Sequence, residues 1–570
     1  MLAYLAGAWL LVQIADTVFP AYGLPDSALP ILITILAIGL IPAIVVSWAF
    51  ELTPAGLRRD TEVAPSVSIA PQTGKRLDRI IMVVLALALS YFVFDEFVLE
   101  RSVASDNSIA VLPFADMSPD GDQAYFSDGI AEELLNLLAQ IRELRVISRS
   151  SAFQYRGDDI HIPTVAEELN VSYVLEGSVR KAGNSLRITA QLIDARADVH
   201  VWSETYDREL DDVFAIQDEI SETIVDELQI KLLGGRPSVD RTDPETYALY
   251  LQAAHLMNVR QSDRRIAEDL LKKVLERDPD FLPALNIMVV AIYDLTGDKG
   301  DDKYPVEEGV SLMRGYVDRA LAIDPENGYA NAHRGWMAFF YGGDLETAAR
   351  YLEQALKYDP RNRFALFAAG VVNRRIGHNE DAIAFQEAAL AVDPLCSDCL
   401  YNLMNINLSA GRLDAAQAAA ERRMRVAAGG WFTLGSIHLL KGDIRKALEF
   451  YDKQKEDRIG WLSYRAIAFH ELNEFDARDE ALSELMRIDD SYANFEAARV
   501  QAWIGNVDES FEQLERILDP ESADFVDAFT LFIWSPFFRN LRDDPRWLAM
   551  REQAGLSEER LASIKLEPPD

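Results

Sequence analysis

The chain is poor in the residues from which compact active centres are usually built. It has two cysteines and seven histidines in 570 residues. Two cysteines exclude a disulfide framework and a four-cysteine zinc site. The histidines (His161, His200, His255, His333, His378, His438 and His470) are scattered along the chain and read as packing or surface residues. Positive charge is short as well: 56 Lys and Arg stand against 92 Asp and Glu, a formal net charge of −36. With no long basic run, such a chain offers no electrostatic footprint for direct nucleic-acid binding. There is no GxSxG, no phosphate-loop motif and no GxGxxG. His470-Glu471-Leu472-Asn473-Glu474 begins like a zinc helix but lacks the second histidine. Carboxylates are plentiful, yet they form no acid/base pair without a pocket that separates their pKa values. The sequence therefore assigns no catalytic, cofactor-binding or metal residue, and it reads as a non-enzyme.

Long apolar runs are confined to the first hundred residues. Residues 31–50 carry no charge over twenty positions, enough at ~1.5 Å per residue to span the ~30 Å hydrocarbon core. Residues 80–98 form a second apolar run, with acids only at Asp95 and Glu96, and 2–19 a weaker third, containing Gln13 and Asp16. Between them, 51–79 carries Arg58, Arg59, Lys75, Arg76 and Arg79, whereas 20–30 has no basic residue. The positive-inside bias predicts two transmembrane helices within 1–50, a flexible cytoplasmic loop at 51–79 and a third span at 80–98. The expected location is the inner membrane, held in the bilayer by three helices, with residues 99–570 in the periplasm.

Beyond the apolar runs the pattern changes to a small α/β unit over 108–235. Ser108-Ile-Ala-Val-Leu-Pro-Phe114 reads as a buried strand, and Ser127 as the cap of the helix after it. Residues 144–148 read as a second strand, and Thr164 with Glu167 as a capping box. A hairpin turns at Gly183-Asn184, a further strand spans 199–206, and an acidic helix over 212–233 closes the unit. The runs SIAVLPFADMSPD, AYFSDGIAEELLNLL, LRVISRSSAFQYRG, YVLEGSVRKAGNSLRITAQLIDA and WSETYDRELDDVFAIQDEI occur in order. Together they resemble the TolB amino-terminal-type domain. The resemblance implies a non-catalytic module, and a layout shared with CadC-type receptors and class III adenylate cyclases that carry tetratricopeptide arrays.

The remainder is periodic. Glycines stand at Gly343, Gly377 and Gly411, 34 apart, with Gly442 31 further on. Ala348, Ala382, Ala416 and Ala447 each follow by five, and Pro325, Pro360 and Pro394 end the units. Glycine opens a tight turn, alanine lets two helices approach and proline stops the second one. This is the tetratricopeptide (TPR) pattern. It predicts seven or so helical hairpins over 244–522, among them a copy near Asn473 without the glycine, and a helical cap at 523–570. The fold class is thus α-rich and multidomain: N-terminal transmembrane helices, a small α/β domain with a mixed sheet, then an α-solenoid.

Transferring TPR groove positions onto the clear repeats predicts a partner-binding face of His333, Met337, Phe367, Arg374, Tyr401 and Asn405, with Arg374 and Asn405 suited to a peptide carboxylate. Cys396 and Cys399 begin the first helix of a repeat; two small packed thiols are expected, with a local disulfide, redox chemistry or a metal as alternatives. The expected function is a membrane-anchored interaction or sensor protein binding a protein or peptide. The alternatives are the receptor arm of a transcription regulator or cyclase, whose effector would precede Met1, and a hydrolase hidden in the α/β unit.

Overall fold

In the computed structural model, residues 11–12, 36, 50–53, 56–59, 107–157, 160–228, 240–259, 263–297, 303–427, 429–517 and 533–568 are described. Two short strands, β1 (Phe50–Thr53) and β2 (Gly56–Arg59), pair antiparallel with Thr53 opposite Gly56. A hairpin therefore stands where the sequence predicts the end of a span and the start of a flexible loop, since the register closes over only two residues. The runs 2–19, 31–50 and 80–98 otherwise lie almost wholly outside the described residues. Among those residues no helix is long and apolar enough to cross a membrane. That finding overturns the expected three-helix bilayer contact and the inner-membrane placement with 99–570 in the periplasm.

The α/β domain is built on a mixed sheet of order β5-β3-β6-β7-β8, with β4 (Ala115–Asp116) pairing β6 to the side. β3 (Ser108–Val111) runs parallel to both β5 (Arg145–Val146) and β6 (Tyr173–Ala182). β7 (Ser185–Asp194) and β8 (Val199–Glu209) continue antiparallel from β6. All four residues of β3 are buried, as a strand covered on both edges and both faces must be. In β7 the side chains of Leu186, Ile188, Ala190 and Leu192 are buried while Arg187, Thr189 and Gln191 between them are not, the period of two seen in the sequence; Ile193, at the register shift against β8, is buried as well. Gly177 in β6 is required by packing, because a Cβ there would collide with the Phe114 ring and the Thr189 carbonyl.

Helix α1 (Ala124–Ala139) starts three residues before the expected cap. Ser127 lies inside it, its hydroxyl bonded back to the Gln123 carbonyl, and Gln123 makes no side-chain cap. The Asp116 carboxylate does part of that work, accepting from the Gln123 N–H at 2.8 Å. After α2 (Arg149–Ala152), α3 (Ile162–Leu169) likewise lacks the capping box: Pro163 occupies its first turn, and Thr164 meets the His161 ring at 2.9 Å. The domain closes with α4 (Val213–Glu227).

The solenoid follows as eight helical hairpins among the described residues. They are α5 (Pro244–Val259) with α6 (Arg264–Arg277), α7 (Leu282–Asp294) with α8 (Val306–Ile323), α9 (Gly328–Phe340) with α10 (Leu345–Tyr358), and α11 (Arg363–Ile376) with α12 (Asn379–Val392). Then come α13 (Ser397–Ser409) with α14 (Leu413–Val426), α15 (Trp431–Leu440) with α16 (Ile444–Tyr451), α17 (Arg458–Glu471) with α18 (Phe475–Leu485), and α19 (Ser491–Ile504) with α20 (Val507–Ile517). Asx residues start many of these helices: Asn327, Asp344, Asn362 and Asp490 each accept from a backbone N–H of the first turn. Where the sequence lacks a turn glycine, Asn473 takes the left-handed conformation itself, at φ 60°. A 3₁₀ turn (Pro536–Leu541), α21 (Pro545–Gln553) and α22 (Glu558–Ser563) end the chain.

Helix–helix contact is close in the α11–α12 hairpin. Ala382 is fully buried, and Gly370 opposite leaves room for the Gln386 side chain to donate to the Phe367 carbonyl at 3.1 Å. Ala382→Leu should therefore destabilise the protein by ~1–3 kcal/mol through overpacking, read as a lower urea midpoint with the same slope. An unchanged midpoint would refute this hairpin register.

Candidate functional site

The first repeats do not face open solvent. Their inner helices close against the α/β domain around a cavity of about 840 Å³. One wall comes from α1 and the β5–α2 turn, the other from α7, α9 and α11.

The α9 wall is aromatic, with Tyr329, His333, Trp336 and Phe340 spaced by four, three and four along one helical face. The His333 ring lies between Tyr329 (centroids 4.7 Å apart) and Phe364 (4.4 Å, stacked). Trp336 stacks on Phe340 at 5.3 Å and meets Phe364 and Phe367 at 5.8 and 5.9 Å. Burial, aided by the Arg363 charge, pushes the His333 imidazole down to about 3. It is thus an uncharged aromatic plate across the physiological range. The polar wall is internally neutralised. Arg149 pairs with Glu132 at 2.8 Å and Arg264 with Asp294 at 2.9 Å. Such a surface suits a mainly apolar segment with a few hydrogen-bonding groups.

Two clusters of polar contacts hold the walls together. At the α12–α13 turn the buried Asp393 carboxylate accepts from Ser150 Oγ at 2.7 Å and Ser151 Oγ at 2.5 Å. Ser151 Oγ in turn accepts from the Leu395 N–H at 3.0 Å, and the Ser148 N–H donates to the Val392 carbonyl at 2.8 Å. Between α1 and α5, Asp128 is gripped by both terminal nitrogens of Arg156 (3.0 and 2.7 Å) and lies 3.2 Å from His255 Nδ1. One turn along, Glu133 accepts from the Tyr250 hydroxyl at 3.0 Å. Gly129 between them admits Leu251, whose Cδ2 would lie 2.7 Å from any added Cβ.

The six groove residues are not brought together as one open face. His333 and Phe367 line the cavity. Met337 is buried in the hydrophobic core rather than in the groove. Arg374 is half-buried and donates to Asn402 Oδ1 at 3.1 Å, while Asn405 donates to the Tyr401 carbonyl at 2.8 Å. Of the six, Tyr401 alone is exposed. Transfer of TPR positions missed Trp336 and Phe364, although the four-three-four spacing from Tyr329 is visible in the sequence. Cys396 and Cys399 form a disulfide rather than two thiols, because the first turn of α13 brings their Cα atoms to 5.3 Å.

A family model described as "HilA/YgeH-like transcriptional regulator, second domain" matches residues 105–223, and one for the tetratricopeptide repeat matches 336–395. A curated protein named "Putative adenylate cyclase 3", from Rhizobium meliloti (strain 1021), is 44% identical over 193 residues. That alignment covers 33% of this chain and 33% of the relative, so the chain spans about a third of that protein's length. Among solved structures, PilW, a "widely conserved type IV pilus biogenesis factor", aligns with 19% identity, 38% of this chain, 94% of that chain and a TM-score of 0.32. YrrB, "a TPR protein with an unusual peptide-binding site", aligns with 17% identity, 34% of this chain, 97% of that chain and a TM-score of 0.28. The chain carries tetratricopeptide repeats and a HilA/YgeH-like domain. The finer likeness to TolB amino-terminal domains and to the CadC layout is not carried by these matches.

Two predictions follow from the interface. Burial first, and the Glu132 charge second, raise the Glu133 carboxyl from its ordinary 4.5 to about 7. The folded chain thus keeps a proton that the unfolded chain releases. Its contribution is complete below pH 4.5 and is lost as pH rises through 7, by about 3 kcal/mol in all. Glu133→Gln keeps the acceptor for Tyr250 and should flatten this fall in thermal stability between pH 5 and 8. Ser151→Ala and Asp393→Asn should each destabilise by about 1.5–3 kcal/mol, with the double variant close to the worse single one. Additive costs in urea unfolding would show that the two side chains do not act together.

Proposed function

We propose that the protein is an interaction scaffold whose repeat groove, with the α/β domain as one wall, takes an extended segment of a protein partner. The observation that carries this is the 840 Å³ cavity with its aromatic plate of His333, Trp336, Phe364 and Phe367. The segment enters past Tyr401 and Asp398 at the exposed start of α13 and places an apolar side chain against the plate. Phe367 and Tyr401 supply contact area. Arg374 and Asn405 supply donors once they exchange their present internal bonds for the ligand's carbonyl or carboxylate groups. Met337 supports the groove from beneath.

A second reading is favoured by the relative named as an adenylate cyclase. In it the same body is the regulatory arm of a nucleotide cyclase, and the partner segment is the signal it reads. CadC-type receptors are the corresponding comparison for a transcription regulator.

Affinity capture with the full chain, compared with Tyr401→Asp and Phe367→Asp, tests the groove. A partner using it should bind both variants about tenfold more weakly, the loss of one aromatic anchor. A partner retained equally by all three chains would refute the groove. A cyclase captured in a groove-dependent way would favour the second reading.

A further inference from the structure

The far end of the solenoid also has an occupant. Phe495, Arg499, Ala502 and Trp503 form one face of α19. Phe495 stands ten residues before Gly505, as Phe367 stands ten before Gly377. The chain's own C-terminal segment covers this face. Phe538 meets Phe495 at 5.7 Å, Phe537 meets Trp503 at 5.4 Å, and Asn540 donates to the Ala502 and Trp503 carbonyls. Just before these contacts the segment touches the end of α11, where Trp534 donates to the Arg375 carbonyl at 3.0 Å. Residues 557–568 form a strap over the beginning of α10 and the end of α11.

The strap differs from the body that precedes it. Phe538, Leu541 and Trp547 are built into the core, but residues 557–568 contribute only Leu561, Ile564 and Leu566 to it. After the single turn of α22 the backbone is extended at Ile564, and burial alternates: Ile564 and Leu566 in, Lys565 and Glu567 out. Arg560 makes a two-pronged bond to Glu346 at 2.7 Å, with both partners over a third exposed, so solvent screens the pair. The fully buried Asn373 amide donates to the Leu566 carbonyl at 3.2 Å and to the Ala369 carbonyl at 3.1 Å. Its Oδ1 is buried and, among the described residues, has no hydrogen-bond partner. A side-chain amide in such a place can clasp an extended backbone through both a carbonyl and an N–H. The strap uses the first only.

We propose that residues 557–568 are a resident ligand of an extended-peptide site on α10 and α11, and that a partner segment of the same chemistry displaces them. That chemistry is two aliphatic side chains at alternate positions, an arginine four residues before the first of them for Glu346, and a backbone carbonyl and N–H for Asn373. The resident strap has the advantage of being tethered, which an incoming segment offsets by its concentration. The proposal deepens the scaffold reading by naming a second occupant for the solenoid. Its test uses the strap's own sequence, so a failure to capture any partner at the aromatic cavity leaves this outcome intact.

The experiment is a fluorescence-anisotropy titration of a labelled peptide, SEERLASIKLEP, with the full chain and with the full chain carrying Ile564→Asp and Leu566→Asp. The wild-type site is closed most of the time, so its apparent affinity should be about tenfold or more below that of the released variant. Adding Asn373→Ala to the released variant should abolish uptake. Glu346→Arg should weaken it severalfold, and a peptide carrying Arg560→Glu should restore it. A released variant that keeps its helical circular dichroism and takes up no peptide overturns the proposal, as does equal uptake by the wild-type chain. Should the released variant unfold, native-state hydrogen exchange of the wild-type chain decides. The amides of 561–567 should exchange well ahead of those in α11, and exchange only with global unfolding would make the strap a fixed cap and overturn the proposal.

Discussion

The architecture hinges on the capture of one carboxylate. Asp393 ends α12 and would ordinarily be solvated at a turn between repeats. Here it is buried and satisfied by the hydroxyls of Ser150 and Ser151. A buried charge without partners is too unfavourable to survive, so the turn and the serine-bearing segment must meet in one register. That register decides which repeats face the α/β domain. It sets α9 and α11 opposite α1 and leaves the cavity between them. The Asp128 and Glu133 contacts to α5 then fix the angle at the other end of the interface.

What was legible in the sequence was local. Gly377, Ala382 and Pro394 report a hairpin because turn, close approach and termination are properties of neighbouring residues. The alternation in β7 reports a half-buried strand for the same reason. What was not legible joins residues far apart. Asp393 and Ser151 are 242 positions apart, and no periodicity connects them. The groove expectation meets the same limit. Transferring TPR positions assumes an empty concave face, whereas here Met337 is drawn into the core, and His333 and Phe367 look onto another domain. The start of α1 differs from the expected one where Asp116 satisfies the Gln123 N–H from outside the helix, and that of α3 where Pro163 occupies the first turn. Asn473 shows the reverse case, a residue that supplies the turn geometry under a different letter.

The charge of the chain and the character of its cavity are separate matters. Net charge is −36, yet the cavity's Arg149 and Arg264 are matched to carboxylates within 3 Å. The excess acid therefore lies elsewhere and governs encounter and solubility, while the cavity itself selects by shape and aromatic contact. A neutral His333 fits this division, since a charged imidazole there would need a counter-ion that the plate does not provide.

The segments that flank the solenoid are both tied to its middle, the α/β domain at residues 391–395 and the C-terminal strap at Glu346 and Asn373, with Arg560 reaching Glu346 across 214 residues. Open repeat arrays are nearly one-dimensional, fold from any point and come apart piecemeal. Fastening the two flanking segments to α10–α12 turns the line into two closed loops. Contact order rises well above that of a free array, so the closing of the second loop waits for the strap to be synthesised. Until then the newly made middle repeats stand with one of their two fastenings missing.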